Sequence, residues 1–141
     1  MPSEPAKKKD PGEERWERKA GYVYFIAAGD PPEAIKIGIS TVDDIKRRLS
    51  TIQSSNHVPL RIIGLVRFEG VVRPMLAAQQ RERELHELFR QAQRMRNGWT
   101  GCEWFNPTPE LLALISDEAQ PPSRFGVEAT AAKLGPGLGC P

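Results

Sequence analysis

Hydrophobic and polar positions along this chain repeat with two different periods, and the change of period divides it into elements. Gly21-Tyr22-Val23-Tyr24-Phe25-Ile26 is a β-branched and aromatic run that stops at the turn signal Ala28-Gly29-Asp30-Pro31-Pro32. A second such run, Ala34 to Ser40, follows at once, and the two predict a β-hairpin. Between Asp43 and Ser54 the period lengthens: Ile45, Leu49 and Ile52 stand at i, i+4 and i+7, one face of a helix, with Thr41 or Asp43 as its cap. Asn56, His57 and Pro59 break that helix, and Leu60 to Phe68, too short and too β-branched for a comfortable helix, is expected as a third strand. A long helix is expected from Pro74 to Met95, with Ala78, Leu85, Leu88, Phe89 and Ala92 on one stripe and Asn97-Gly98 as its stop. A short extended piece, Glu103-Trp104-Phe105, and a small helix with Thr108 as N-cap and Pro109 in its first turn complete the order. The succession β-β-α-β-α-(β)-α predicts an α+β domain with a small three-stranded, mainly antiparallel sheet flanked by helices.

The two ends lack such periodicity. Residues 1–20 are rich in Lys and Glu, and residues 117–141 are rich in Gly and Pro, so neither end buries enough surface to offset the entropy of ordering. Both are expected to be disordered tails, with Trp16 and Phe125 as docking points, and the folded unit is 21–116, enough for one modest core. No apolar run nears the ~18 residues of a membrane helix, and charges occupy Met1 to Lys19 where a signal peptide is apolar. A cytoplasmic protein is therefore expected, with Cys102 and Cys140 as free thiols because neither has a partner at zinc spacing. The formal charge is +2, and stretch 21–116 carries the same +2, so any nucleic-acid-binding surface has to be local.

Alternation in the hairpin supplies such a surface. If Val23, Phe25, Ile35, Ile37 and Ile39 share the core face, then Tyr22, Tyr24, Lys36 and Gly38 gather on the other. Tyr24 and Lys36 are then expected as direct cross-strand neighbours. The plain alternative is that they decorate the wet side of a half-buried sheet. The first helix adds Lys46, Arg47 and Arg48, of which Arg48 directly precedes the inward Leu49 and leans toward the sheet edge. In the long helix Glu82 falls on a shoulder of the apolar stripe with His86 one turn on, a pairing suited to a divalent ion or to acid–base work. Its alternative is a solvated face laced by i,i+4 charges.

The ordered set Tyr22-Val23-Tyr24, Lys36-Ile37-Gly38, Arg48-Leu49, Glu82-Arg83-Glu84-Leu85-His86 and Glu103-Trp104-Phe105 resembles the GIY-YIG nuclease superfamily. Within it the chain is similar to the phage, bacterial and fungal branch whose second motif reads Lys-Ile-Gly. The resemblance implies a DNA endonuclease that hydrolyses phosphodiesters with one divalent cation, Mg²⁺ or Mn²⁺. It makes Tyr24 the general base, provided its pKa of ~10 is lowered by a nearby cation. It puts Arg48 on the phosphate, with Arg47 as a competitor, and makes Glu82 the metal ligand. Lys36 replaces the second-motif tyrosine and joins the catalytic set, while Tyr22, Gly38, Arg47 and His86 would line the substrate. Asn106 is a weak counterpart of the family's late asparagine. Two other readings stand beside it: a nucleic-acid-binding module without cleavage, favoured by the altered second motif and the Arg-rich long helix, and an adaptor whose tails are its working parts. Target specificity is left to a protein partner or to oligomerisation.

Overall fold

The computed structural model describes residues 10–94 and 103–131; the expected Asn97-Gly98 stop and both cysteines lie outside them. The hairpin forms as expected, β1 (Gly21–Ala28) pairing antiparallel with β2 (Ala34–Thr41). β3 (Leu60–Phe68) pairs with the other side of β1, and a bulge near Gly64 shifts that register by one residue. The sheet has four strands, not three, because Trp104–Phe105 forms β4 opposite Lys36 and Ile35, and the order is β3-β1-β2-β4. All pairings are antiparallel.

Each face of the sheet is covered. On one face Val23, Phe25, Ile35 and Ile37 pack with Ala78 and Leu85 of α3 (Pro74–Leu88) and Leu111 and Ile115 of α4 (Pro109–Glu118). Thr108 caps α4 as expected, accepting from the Leu111 N–H. On the other face Tyr22, Tyr24, Ile26, Leu60, Ile62 and Leu65 pack with Ile45 and Leu49 of α2 (Ile45–Ser54). Neither Thr41 nor Asp43 caps α2 through its side chain; a short 3₁₀ turn, Val42–Asp44, leads into it.

Three expectations change. α3 ends at Leu88 and not at Met95, since a 3₁₀ turn follows and Gln93 swings to extended backbone to bridge Phe105, so strand pairing overrides helix propensity. Leu88, placed on the buried stripe by its spacing, is 64% exposed. Parts of both ends taken as tails are ordered. Pro11–Glu17 forms α1, which packs against α3 and buries Glu17. Residues 119–131 return to the sheet: Gln120 exchanges backbone hydrogen bonds with Leu65, the Ile62 N–H donates to the Ala129 carbonyl, and Phe125 lies against Tyr22. No helix among the described residues is long and apolar enough to cross a membrane.

Candidate active site

β4 pairs with β2 only at Ile35 and Lys36, and the last bond between them runs from the Ile37 N–H to the Glu103 carbonyl at 3.1 Å. Beyond it the outer side of β2 has no strand neighbour among the described residues, and α2 and α3 both pack on β2. The expected parity holds, with Tyr22, Tyr24, Lys36 and Gly38 on one face, but the register differs. Tyr24 stands opposite Gly38, and Lys36 opposite Ile26. The Tyr24 ring therefore lies across Gly38, and a Cβ at position 38 would overlap its hydroxyl end. That is why a glycine is required there, although its backbone is not left-handed.

This packing leaves Tyr24 only 2% exposed. Burial raises its pKa well above the usual phenol range, Glu103 and Glu82 add to the rise, and Arg48 alone pulls it down. Without a bound cation the phenol therefore keeps its proton. Lys36, expected as the group that would lower it, is otherwise engaged: its ammonium meets the Glu103 carboxylate at 2.7 Å and lies 5.7 Å from the centroid of the Trp104 ring.

Glu82, on α3, is half-buried, and its pKa is raised by desolvation and then by Glu103, against His86, Lys36 and Arg83. Five elements or their flanks thus bring Tyr24, Lys36, Arg48, Glu82, His86 and Glu103 within electrostatic reach of one another. His86 is tied into the scaffold. Its Nε2 lies 2.9 Å from the Ile37 carbonyl, so Nε2 carries the proton and donates, and its ring meets Phe105 edge-on at 5.1 Å. It anchors α3 to β2 next to Glu82.

The two competing arginines separate. Arg47 is held by Asp44 through two hydrogen bonds of 2.6 and 2.8 Å, which also keeps the Asp44 carboxyl below its usual range. Arg48 is exposed and makes no ion pair among the described residues. Tyr22, expected to line the substrate, is instead a core residue at 1% exposure. It is packed 5.5 Å from Phe125, and its hydroxyl accepts from Arg67 at 3.3 Å. Asn106 lines a separate cavity with Leu88 and Arg90. Glu103 is the member of the cluster to which the sequence assigned no role. Its proximity to Lys36 depends on the register of β4 against β2, a pairing between distant segments that residue spacing does not encode.

A T5orf172 domain matches residues 21–118. The chain belongs to this family. T5orf172 is a phage-associated domain related to nuclease-like modules, and the match ends at the last residue of α4. The residues brought together at β2 all fall inside the T5orf172 module, whereas α1 and the segment 119–131 that covers Tyr22 lie outside it. No characterised protein and no solved structure matches the chain.

The donor set bears on which cation the site would suit. Among the described residues no three His, Cys, Asp or Glu side chains converge to enclose a metal. Glu82, with Glu103 close enough to raise its pKa, offers hard carboxylate oxygens only. That fits Mg²⁺, which keeps several waters and takes one or two carboxylates plus substrate phosphate, and does not fit a closed zinc site.

Proposed function

We propose that this T5orf172 protein is a metal-dependent DNA endonuclease of the GIY-YIG type, working at the end of β2 beyond its pairing with β4. The observation that carries the reading is the convergence of a phenol (Tyr24), an unpaired guanidinium (Arg48) and a half-buried carboxylate (Glu82) drawn from three different elements. Arg48 takes the non-bridging oxygens of the scissile phosphate in its planar fork. As the phenolate, its own proton first released to solvent, Tyr24 would take the proton of the attacking water. Glu82 would hold the divalent cation, whose positive charge would be supplied against the leaving oxygen and would favour the Tyr24 phenolate against burial first and the carboxylates second. His86 positions Glu82 by fixing α3 to the Ile37 carbonyl. Glu103 holds Lys36 at the rim of the site.

The test is nicking of supercoiled plasmid in Mg²⁺ or Mn²⁺. Wild type should cut, whereas Glu82→Ala and Arg48→Ala should not, with unchanged circular dichroism. Equal cleavage by all three would sink the proposal. A second reading, a DNA-binding module with little cleavage, is favoured by the raised pKa of Tyr24 and by the engagement of Lys36 with Glu103. It predicts salt-sensitive binding without nicking in either metal.

A further inference from the structure

The ordered helix outside the family module has a consequence for substrate binding. A cleft of about 540 Å³ lies between α1, the free end of β2, the start of α2 and α3, and its walls include Trp16, Lys19, Ile39, Arg48 and Gln79. Two of these residues, Trp16 and Lys19, belong to the segment preceding residue 21, where the T5orf172 module begins. The position of that segment is fixed at several points. Asp10 caps α1 through the Gly12 N–H, Glu17 is buried and meets Arg73 at 3.8 Å, and the Val42 N–H donates to the Ala20 carbonyl. Trp16 is half-buried and lines the cleft, and Lys19 is exposed and makes no ion pair among the described residues. Two carboxylates, Asp43 and Asp44, also line the cleft; Asp44, which feels the charge of Lys19, is bound to Arg47. The cleft therefore presents two cations without an ion pair among the described residues, Lys19 and Arg48, beside Trp16 and with Asp43 on its wall. A phosphate contact flanked by a stacking surface is how proteins hold an unpaired nucleic-acid strand.

We infer that Trp16 and Lys19 form a subsite for the DNA strand flanking the scissile phosphate, Lys19 contacting the next backbone phosphate and Trp16 stacking an unpaired base. The inference rests on the endonuclease reading only in taking Arg48 as the phosphate contact. A base stacked on Trp16 has to be unpaired, so the subsite selects DNA with a single-stranded or distorted segment next to the cut. The N-terminal helix thus contributes to substrate choice, a task the module of residues 21–118 cannot perform alone.

The experiment is fluorescence anisotropy with a labelled duplex carrying a single-stranded overhang and with the blunt duplex, in EDTA so that no strand is cut, over a series of salt concentrations. For the overhang probe, Lys19→Ala should weaken binding and reduce the slope of log affinity against log salt by roughly 0.7 to 0.9, the signature of one lost phosphate contact. Trp16→Ala should weaken overhang binding about tenfold, within the range for loss of one stacked base, with little change of slope and little effect on the blunt duplex. Lys19 is exposed, so its variant folds even if the tryptophan variant does not. If wild type binds and Arg48→Ala weakens binding while Lys19→Ala changes neither affinity nor slope, the subsite is overturned and the endonuclease reading stands. If wild type binds neither probe, both fail.

Discussion

Gly38→Ala isolates the contact on which the site is built. The added methyl group falls on the hydroxyl, Cζ and Cε1 of Tyr24, a ring with no free space to retreat into because it is 2% exposed. Two effects compete. Gly38 does not occupy the left-handed region, so alanine fits its backbone and restricts the unfolded chain, worth about 0.4 to 1 kcal/mol in favour of folding. Overpacking a tight core costs about 1 to 3 kcal/mol. The net is a loss of up to about 2.5 kcal/mol, and the Tyr24 hydroxyl is displaced from the place where Arg48 and Glu82 act on it. Urea denaturation of four proteins tests this: wild type, Gly38→Ala, Tyr24→Ala and the double variant. In the Tyr24→Ala background the methyl has nothing to strike, so Gly38→Ala should be neutral or stabilising, and the cycle should show a coupling of about 1 to 3 kcal/mol. A Gly38→Ala cost that is the same in both backgrounds, or full plasmid nicking by the single variant, would refute the reasoning.

Other outcomes follow from the same geometry. Glu82→Gln should raise stability at neutral pH while abolishing nicking. The Glu82 pKa is raised in the folded state, so the fold binds its proton more tightly than the unfolded chain does, and the wild type loses stability as pH rises above the ordinary value of 4.5. Thermal melts of the two proteins should therefore converge below that pH and separate above it; a constant offset would contradict the assignment. His86→Phe keeps the ring against Phe105 but leaves the Ile37 carbonyl without its donor, which should cost about 1 to 3 kcal/mol by chemical denaturation, more than a surface substitution does. Arg47→Ala should leave plasmid nicking near the wild-type rate because its guanidinium is committed to Asp44, whereas Arg48→Ala should remove it. Lys36→Met should cost less than about 1 kcal/mol of stability, since its partner Glu103 is 41% exposed and the pair is screened by solvent.

What could be read from the residues and what could not divide along a physical line. Strand parity was legible because the side-chain period in a strand is 2 whatever the register, so Tyr24 and Gly38 could be placed on one face before their distance was known. The register itself was not legible, and Lys36 proved to be two residues from the position opposite Tyr24, because the length of the turn at 29–33 decides it. The helical pattern located Arg48 and Glu82 correctly on α2 and α3, while the end of α3 was missed because Gln93 answers to Phe105, a residue twelve positions away. Phe125 was legible as a docking point, but not that it would pack on Tyr22 and bury it, because the contact joins two segments far apart in the chain. Glu103 went unassigned for the same reason: its partner is 67 positions away.

The return of residues 119–131 also bears on how the protein behaves in company. β3 is an outermost strand of nine residues, Leu-Arg-Ile-Ile-Gly-Leu-Val-Arg-Phe, and an uncovered apolar strand of that length is a template on which a second molecule can add its own strand. Gln120 and Ala129 occupy its outward hydrogen-bonding groups at Leu65 and Ile62, interrupting the ladder a newcomer would need. The segment read as a spare tail thus shields part of this edge from strand addition. Trimming the protein to the family boundary at residue 118 should increase its concentration-dependent self-association relative to the full chain, as read by light scattering, even with every residue of the site in place.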